Sequence, residues 1–272
     1  SSHAVPFPLR QCNGEPCLDR GLGASGHGRS TAYTCDVTTQ AAIESFEIER
    51  KYEVDSAASL PGAPEFKAVE LIAGPPETFH LHATYFDTPA ADLAQRRLAL
   101  RMRRGGKDAG WHLKQKNAEG ARELQWPAAD EMPTEVIAEI RRWIGDTVSE
   151  LQPLAELRTE RTIVVLRDRD GQEVVELADD SVHALDHRTG TRRAWREWEA
   201  EVLGDGDGAV LARVEPVLRA AGAVPSSSPA KIARATGQLE AVARSKGASA
   251  DERQALRAVD AADQEAARRL EP

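Results

Sequence analysis

Glu47, Glu49 and Lys51 stand two residues apart in SFEIERKYEV, a segment rich in β-formers with little helical period. In a strand, successive side chains point to opposite faces, so these three share one face while Ile48, Arg50 and Tyr52 share the other. Two carboxylates and an ammonium are costly in an apolar core. They suit a polar cavity that holds a divalent cation and a phosphate. Charges alternating on a solvated strand face give the same pattern, so what decides is whether the pattern recurs.

It does recur. Glu197, Glu199 and Glu201 alternate with Trp198, Ala200 and Val202, and Arg101 and Arg103 alternate with Leu100 and Met102. His112, Lys114 and Lys116 share a face opposite Trp111 and Leu113. Acids lie on some strands and bases on others. Closed into a barrel with the charged faces inward, such strands form a tunnel whose acids can bind metal and whose bases can bind phosphates. The apolar outer faces then require helices to cover them. Mg²⁺ favours a few carboxylates plus substrate oxygens, and no His/Cys cluster competes for a softer metal. Arginine suits bidentate contact with phosphate, and lysine acts as a point charge.

The 272 residues carry a net charge of −9, which excludes a general nucleic-acid binder. Yet Arg96, Arg97, Arg101, Arg103, Arg104, Lys107, Lys114, Lys116 and Arg122 crowd one stretch, and a cleft can focus such charge on a compact polyanion. No run is long enough to span a bilayer, and the opening SSHAVPFPLR lacks a signal-type apolar core. Cys12, Cys17 and Cys35 all precede the strand-rich body, which fits a reducing, cytoplasmic location; Cys-x4-Cys is weak zinc spacing.

Residues 1–43 are rich in Gly, Ser, Pro and Thr and are expected to be disordered. Strands are expected at about 45–54, 80–87, 99–104, 110–117, 121–127, 157–167, 173–179 and 195–202. Residues 57–73 suggest a helix interrupted by Pro61 and Pro64, and 134–144 a helix with Thr134 as its N-cap. Further helices are expected at 209–221 and 229–239, with a helical extension over 239–272. Gly105-Gly106 and Gly190 mark hairpin tips.

Taken in order, these pieces resemble the CYTH domain, or triphosphate tunnel metalloenzyme, family. Glu47-x-Glu49-x-Lys51 matches the family's signature. Tyr85-Phe86-Asp87-Thr88, Leu100-Arg101-Met102-Arg103, Trp111-His112-Leu113-Lys114, Arg122-Glu123, Thr159-Glu160-Arg161, Asp179-Asp180, Glu197-x-Glu199-x-Glu201 and Lys231 follow. The likeness covers roughly residues 45 to 235. WHLK, DDSV and EWEAEV look most like CYTH domains that precede a helical CHAD domain in some bacteria, although this chain has no room for a full CHAD domain.

The resemblance implies an α+β fold: an antiparallel eight-stranded β-barrel tunnel with helices packed outside, spanning residues 44–238. It implies Mg²⁺ or Mn²⁺ held by Glu47 and Glu49 with one or more of Glu197, Glu199 and Glu201, and with Glu123 helping. Catalysis would rest on Glu47, Glu49, Glu199, Glu201 and Lys51. Lys51, Arg101, Arg103, Lys114, Lys116, Arg161 and Lys231 would grip phosphates, Lys231 from a short helix plugging one end. Lys116 suits the mouth of the tunnel, and Arg101 and Arg103 could instead lie on its rim. Gln125 departs from the family, where another acid is common. Trp111, Trp195 and Trp198 are expected to face away from the lumen.

The activity implied is metal-dependent hydrolysis of a triphosphate. The absence of an aromatic pair marked for stacking tilts the reading toward inorganic triphosphate over nucleoside or thiamine triphosphates or an adenylate cyclase reaction. A non-catalytic polyphosphate-binding module is the alternative; it would not need acids beside phosphate. Neither nucleic acid nor membrane is an expected partner, and a dimer is conceivable.

Overall fold

A computed structural model describes residues 41–117, 119–204 and 206–270. The disorder expected up to residue 43 and the three cysteines fall almost wholly outside the described residues. Strands β1 (Ile43–Glu47) and β2 (Glu49–Glu53) form one interrupted strand, followed by α1 (Ala63–Lys67), β3 (Ile72–Ala73) and β4 (Glu77–Asp87). Then come α2 (Asp92–Gln95), β5 (Leu98–Arg104), β6 (Gly110–Lys116), β7 (Ala121–Pro127) and α3 (Thr134–Ile144). Long strands β8 (Gln152–Arg167), β9 (Glu173–Asp186) and β10 (Arg192–Val202) precede α4 (Ala209–Ala220) and β11 (Val224–Pro225). Helices α5 (Lys231–Ala235), α6 (Leu239–Ser245) and α7 (Ala250–Leu270) complete the described chain.

The sheet runs β1-β7-β6-β5-β4-β8-β9-β10-β2-β11, with β3 beside β8, and the paired strands are antiparallel. Because β1 continues into β2 through Ile48, one segment pairs with β7 at one end of the ladder and with β10 near the other, which curls the sheet on itself. The Val202 N–H donates to the Ile48 carbonyl at 2.9 Å across that join. The sheet counts eleven strands rather than the eight expected. The surplus is β3 and β11, two residues each, and the break of the first strand at Ile48.

Alternation places the apolar outer faces under helices, as expected. Tyr52, Leu166, Leu177, Trp198 and Ala200 pack under Leu211, Val214 and Leu218 of α4. Leu100, Trp111, Leu113, Leu124 and Trp126 pack under Val136, Ile140 and Ile144 of α3. Each fully buried aliphatic side chain contributes about 1.5–3 kcal/mol over an exposed one. A third cluster lies inside the curl: Ala83, Tyr85, Ala155, Leu157, Val182, Ala184 and Trp195, with Ala235 of α5. These are cross-strand neighbours of charged inner residues, for Tyr85 opposes Arg101 and Ala83 opposes Arg103.

Local differences from expectation have simple causes. The helix expected over 57–73 shrinks to α1, because Pro61 and Gly62 keep the chain extended before it, while Pro64 sits in its first turn, where no helical N–H is required. Pro133, not Thr134, is the N-cap of α3. Strand β9 runs on to Asp186, since Val182 and Ala184 continue the inward alternation. Gly105, with φ 79°, is required in the β5–β6 turn because a Cβ there would lie 2.1 Å from the His80 carbonyl oxygen. Among the described residues no helix is long and apolar enough to cross a membrane.

Candidate active site

The site grows from the seam where the first strand meets β10. Register sets Glu201 opposite Glu49 and Glu199 opposite Lys51, so all four project to the same inner face. Lys51 Nζ lies 3.1 Å from Glu49 Oε2 and hydrogen-bonds Glu199. Lys114, from β6, donates to Glu47 and lies 3.7 Å from Glu49 Oε1. Lys116 lies farther out, half-exposed, with its Nζ donating to the Pro229 carbonyl at 2.7 Å.

Glu47, Glu49 and Glu201 each bring a carboxylate oxygen within 4.8 Å of the others. Burial pushes Glu47 up to about 8; the opposing pull of Lys114 is partly cancelled by Glu123 and Glu201. Burial likewise pushes Glu201 up to about 7, helped by Glu49 and Glu199. Glu49 is held below its usual value: burial would raise it, but Lys51, Lys114 and Lys116 outweigh that. Crowded, partly protonated carboxylates are a donor set that a hard divalent cation fits.

The consequence for pH has a definite sign. Two carboxyls raised in the fold favour the protonated state, so the metal-free fold loses stability as pH climbs from about 4.5 through about 8. A cation that displaces those protons reverses the loss. The thermal stabilisation given by Mg²⁺ over EDTA is therefore expected to grow between about pH 5 and about pH 9, with proton release on binding. Melting curves across that range check it; stabilisation independent of pH would show that the cation binds elsewhere.

A second group, Asp180, Glu197 and Glu199, converges equally closely but is filled by protein cations. Lys231 Nζ lies 2.9 Å from Asp180, 2.5 Å from Glu197 and 2.6 Å from Glu199. Arg161 grips both oxygens of Asp180, at 2.7 and 2.6 Å, and reaches Glu199 at 2.6 Å. Burial alone would raise Glu199, but Lys231, Lys51 and Arg161 hold it well below the carboxylate range. Glu197 and Glu199 thus sit with Lys231, apart from the Glu47–Glu49–Glu201 group. Lys51 and Glu199 link the two.

Arg101 and Arg103 are inside, not on the rim. Arg101 reaches Tyr85 Oη at 3.4 Å and Glu123 at 3.5 Å, and Arg103 pairs with Asp108. Burial, with Arg101 and Arg161 nearby, lowers Arg103 to about 9. The buried Nε atoms of both arginines find no acceptor among the described residues. Glu123 stands beside Glu47; His112 and Arg101 keep it ionised against its burial. His112 is fully buried, its Nδ1 3.2 Å from Glu123 Oε1 and its Nε2 2.9 Å from the Asp108 carbonyl, and burial lowers it to about 4. Gln125 donates to that same carbonyl at 3.3 Å.

Other residues resolve plainly. Asp87 accepts the N–H groups of Thr88, Leu93 and Ala94 and so fixes the start of α2. Asp179 faces outward to Arg196, Arg122 faces outward to Glu44, and Arg158 is exposed. Trp195 corrects an expectation. It shares the parity of Glu197 and faces the lumen, where its Nε1 donates to Glu197 Oε2 at 2.8 Å and the Arg234 guanidinium stacks 4.9 Å from its ring. Glu176 was not foreseen: it opposes Glu201 across the β9–β10 ladder, and burial raises it. Its parity with Asp180 is the signal that could have found it.

The chain matches the CYTH domain over residues 45–236. It is 34% identical over 208 residues to uncharacterised proteins of two Mycobacterium tuberculosis strains, CDC 1551 and H37Rv, covering 70% of this chain and 40% of each relative. The chain thus spans less than half the length of those relatives. A crystal structure of a candidate adenylate cyclase from Bacillus halodurans superposes with a TM-score of 0.49 at 20% identity, over 70% of this chain and 97% of that one. A candidate adenylyl cyclase from Hippeastrum, described as having a dominant triphosphatase activity, gives 0.40 at 22% identity, over 69% and 92%.

Proposed function

The chain belongs to the CYTH domain family, and from that premise we propose that it is a metal-dependent triphosphatase acting on inorganic triphosphate. The observation that carries the reading is the division of labour inside the barrel. One carboxylate group, Glu47–Glu49–Glu201, has two members that burial keeps partly protonated. Beside it stand Lys51 and Lys114, Arg161 and Lys231 stand at the neighbouring acids, and Arg101 and Arg103 keep Nε donors with no acceptor among the described residues. A polyanion alone would be repelled by these acids, whereas a polyanion with a divalent cation satisfies both sets.

Glu47, Glu49 and Glu201 would hold the cation, Mg²⁺ or Mn²⁺; Glu123 and Glu176 stand beside them. When bound, the cation neutralises phosphate oxygens and acidifies a coordinated water. The protein's own groups do the rest. Arg101, Arg103 and Lys114 orient the phosphate chain and offset charge that accumulates as the anhydride bond breaks. Lys231 and Arg161 are held by Asp180, Glu197 and Glu199, so they stand in place before substrate arrives. Water adds to a terminal phosphorus, and the P–O–P bond opens to release orthophosphate and diphosphate. The apolar cluster that Ala235 of α5 joins inside the curl takes up lumen space, which favours a short substrate over a long threaded polymer.

Phosphate release from inorganic triphosphate, ATP and thiamine triphosphate, each with Mg²⁺, Mn²⁺ or EDTA, tests the proposal. Fast metal-dependent release from inorganic triphosphate is expected. No turnover of any substrate, together with tight binding of long-chain polyphosphate, would replace it with the binding-module reading.

A further inference from the structure

Helix α5 is five residues long, has no side-chain cap at Ala230, and carries Lys231 into the lumen. A helix of that length does not hold its own conformation in water. Its orientation must come from its anchors. One turn after Lys231, Arg234 is 4% exposed and forms two hydrogen bonds to Glu53, at 3.0 and 2.8 Å, and two to Asp263, at 2.7 and 2.9 Å. Its guanidinium lies on Trp195, whose indole N–H holds Glu197, one of the acids that bind Lys231.

Asp263 belongs to α7, which lies beyond the residues that match the CYTH domain. A second link runs parallel to the first. Arg193 donates to Asp260 of α7 at 2.6 Å and to the Ala235 carbonyl, the last residue of α5, at 3.0 Å. Gly237, with φ 65°, leaves room for that arginine: a Cβ there would lie 2.4 Å from its guanidinium. Leu256 and Ala267 bury the apolar stripe of α7, which packs along β10.

We propose that α7 is a latch that seats Lys231 among the lumen carboxylates, with Asp263 and Asp260 as its positioning residues. The proposal rests on reading the lumen as a triphosphate site. Without Asp263, Arg234 loses two of its four hydrogen bonds and keeps Glu53, which is 34% exposed, the Trp195 ring and Glu197 at 3.9 Å, so that α5 is held less firmly and Lys231 shifts from the phosphate.

The test is calorimetric titration of diimidotriphosphate, a triphosphate analogue whose bridging NH groups resist hydrolysis, into the full chain with excess Mg²⁺, paired with melting curves, for Asp263→Asn, Lys231→Ala and the double variant. Asp263→Asn is expected to weaken triphosphate binding about tenfold, the scale of losing one charge-assisted hydrogen bond to the ligand. The double variant is expected to bind no more weakly than Lys231→Ala alone, because both remove one interaction. Asp260→Asn, which cuts only the parallel link, is expected to show the same non-additivity and serves if Asp263→Asn does not fold. Additive losses, or unchanged affinity in a folded Asp263→Asn protein, would overturn the latch and leave the triphosphate reading standing. Unchanged affinity in Lys231→Ala would remove the triphosphate reading itself, and the latch with it.

Discussion

Glu49→Ala is expected to lower metal-dependent phosphate release by about 10²- to 10³-fold or more, the scale of losing one preorganised electrostatic group. Glu49 is the member of the carboxylate group held ionised, by Lys51, Lys114 and Lys116. It is therefore the oxygen donor that is ready for a cation at neutral pH. The fold is expected to survive, because its two nearest bases each keep another partner, Glu199 for Lys51 and Glu47 for Lys114. Phosphate release and a melting curve on the same preparation decide the matter. A folded variant with unchanged turnover would dismantle the active-site assignment.

Arg161→Met should act on the fold as well as the site. Asp180 has no exposed surface, and Arg161 supplies two of its hydrogen bonds; Lys231 supplies its other charge contact. Removing one partner of a buried ion pair leaves charge without compensation and costs about 3–5 kcal/mol. Lys231 remains beside Asp180, so the expected loss is near the lower end, about 3 kcal/mol. Equilibrium denaturant unfolding measures it. A loss below about 1 kcal/mol, the size of an exposed pair, would mean that Asp180 is solvated and that the buried network is wrongly described. Triphosphate affinity should fall too, since Arg161 also restrains Glu199.

Much of this was readable from parity. Glu47-x-Glu49-x-Lys51 and Glu197-x-Glu199-x-Glu201 needed only the two-residue period of a strand to share a face, and the structure puts them on the lumen side. Parity could not say how one strand slides against the next. Register alone sets Glu201, and neither Glu197 nor Glu199, beside Glu49, and it alone sets Glu176 opposite Glu201. Trp195 shows the other limit. The outward expectation groups it with Trp111 and Trp198, yet it alone of the three shares the inward parity of Glu197; the aromatic is tolerated inside because Arg234, from a distant helix, stacks on it and Glu197 accepts its N–H. The reach of α7 to Arg234 left no local mark either, since an Asp in an Ala-, Arg- and Glu-rich helix looks like any solvated acid until a buried arginine is found facing it.

The join at Ile48 also bears on the order of events during synthesis. Lys51 and Glu199 meet across the seam although 148 residues separate them in the chain. The first described strand to leave a ribosome therefore waits for the last long one before its ladder is complete. Such distant pairing is slow, because the chain loses loop entropy before the contact rewards it. Before β10 arrives, β1 can pair with β7 and Lys114 can reach Glu47, but Lys51 lacks Glu199 and the Glu47–Glu49–Glu201 group lacks its third carboxylate. The three-carboxylate group is thus completed only when the seam closes, as the final step of assembling the sheet.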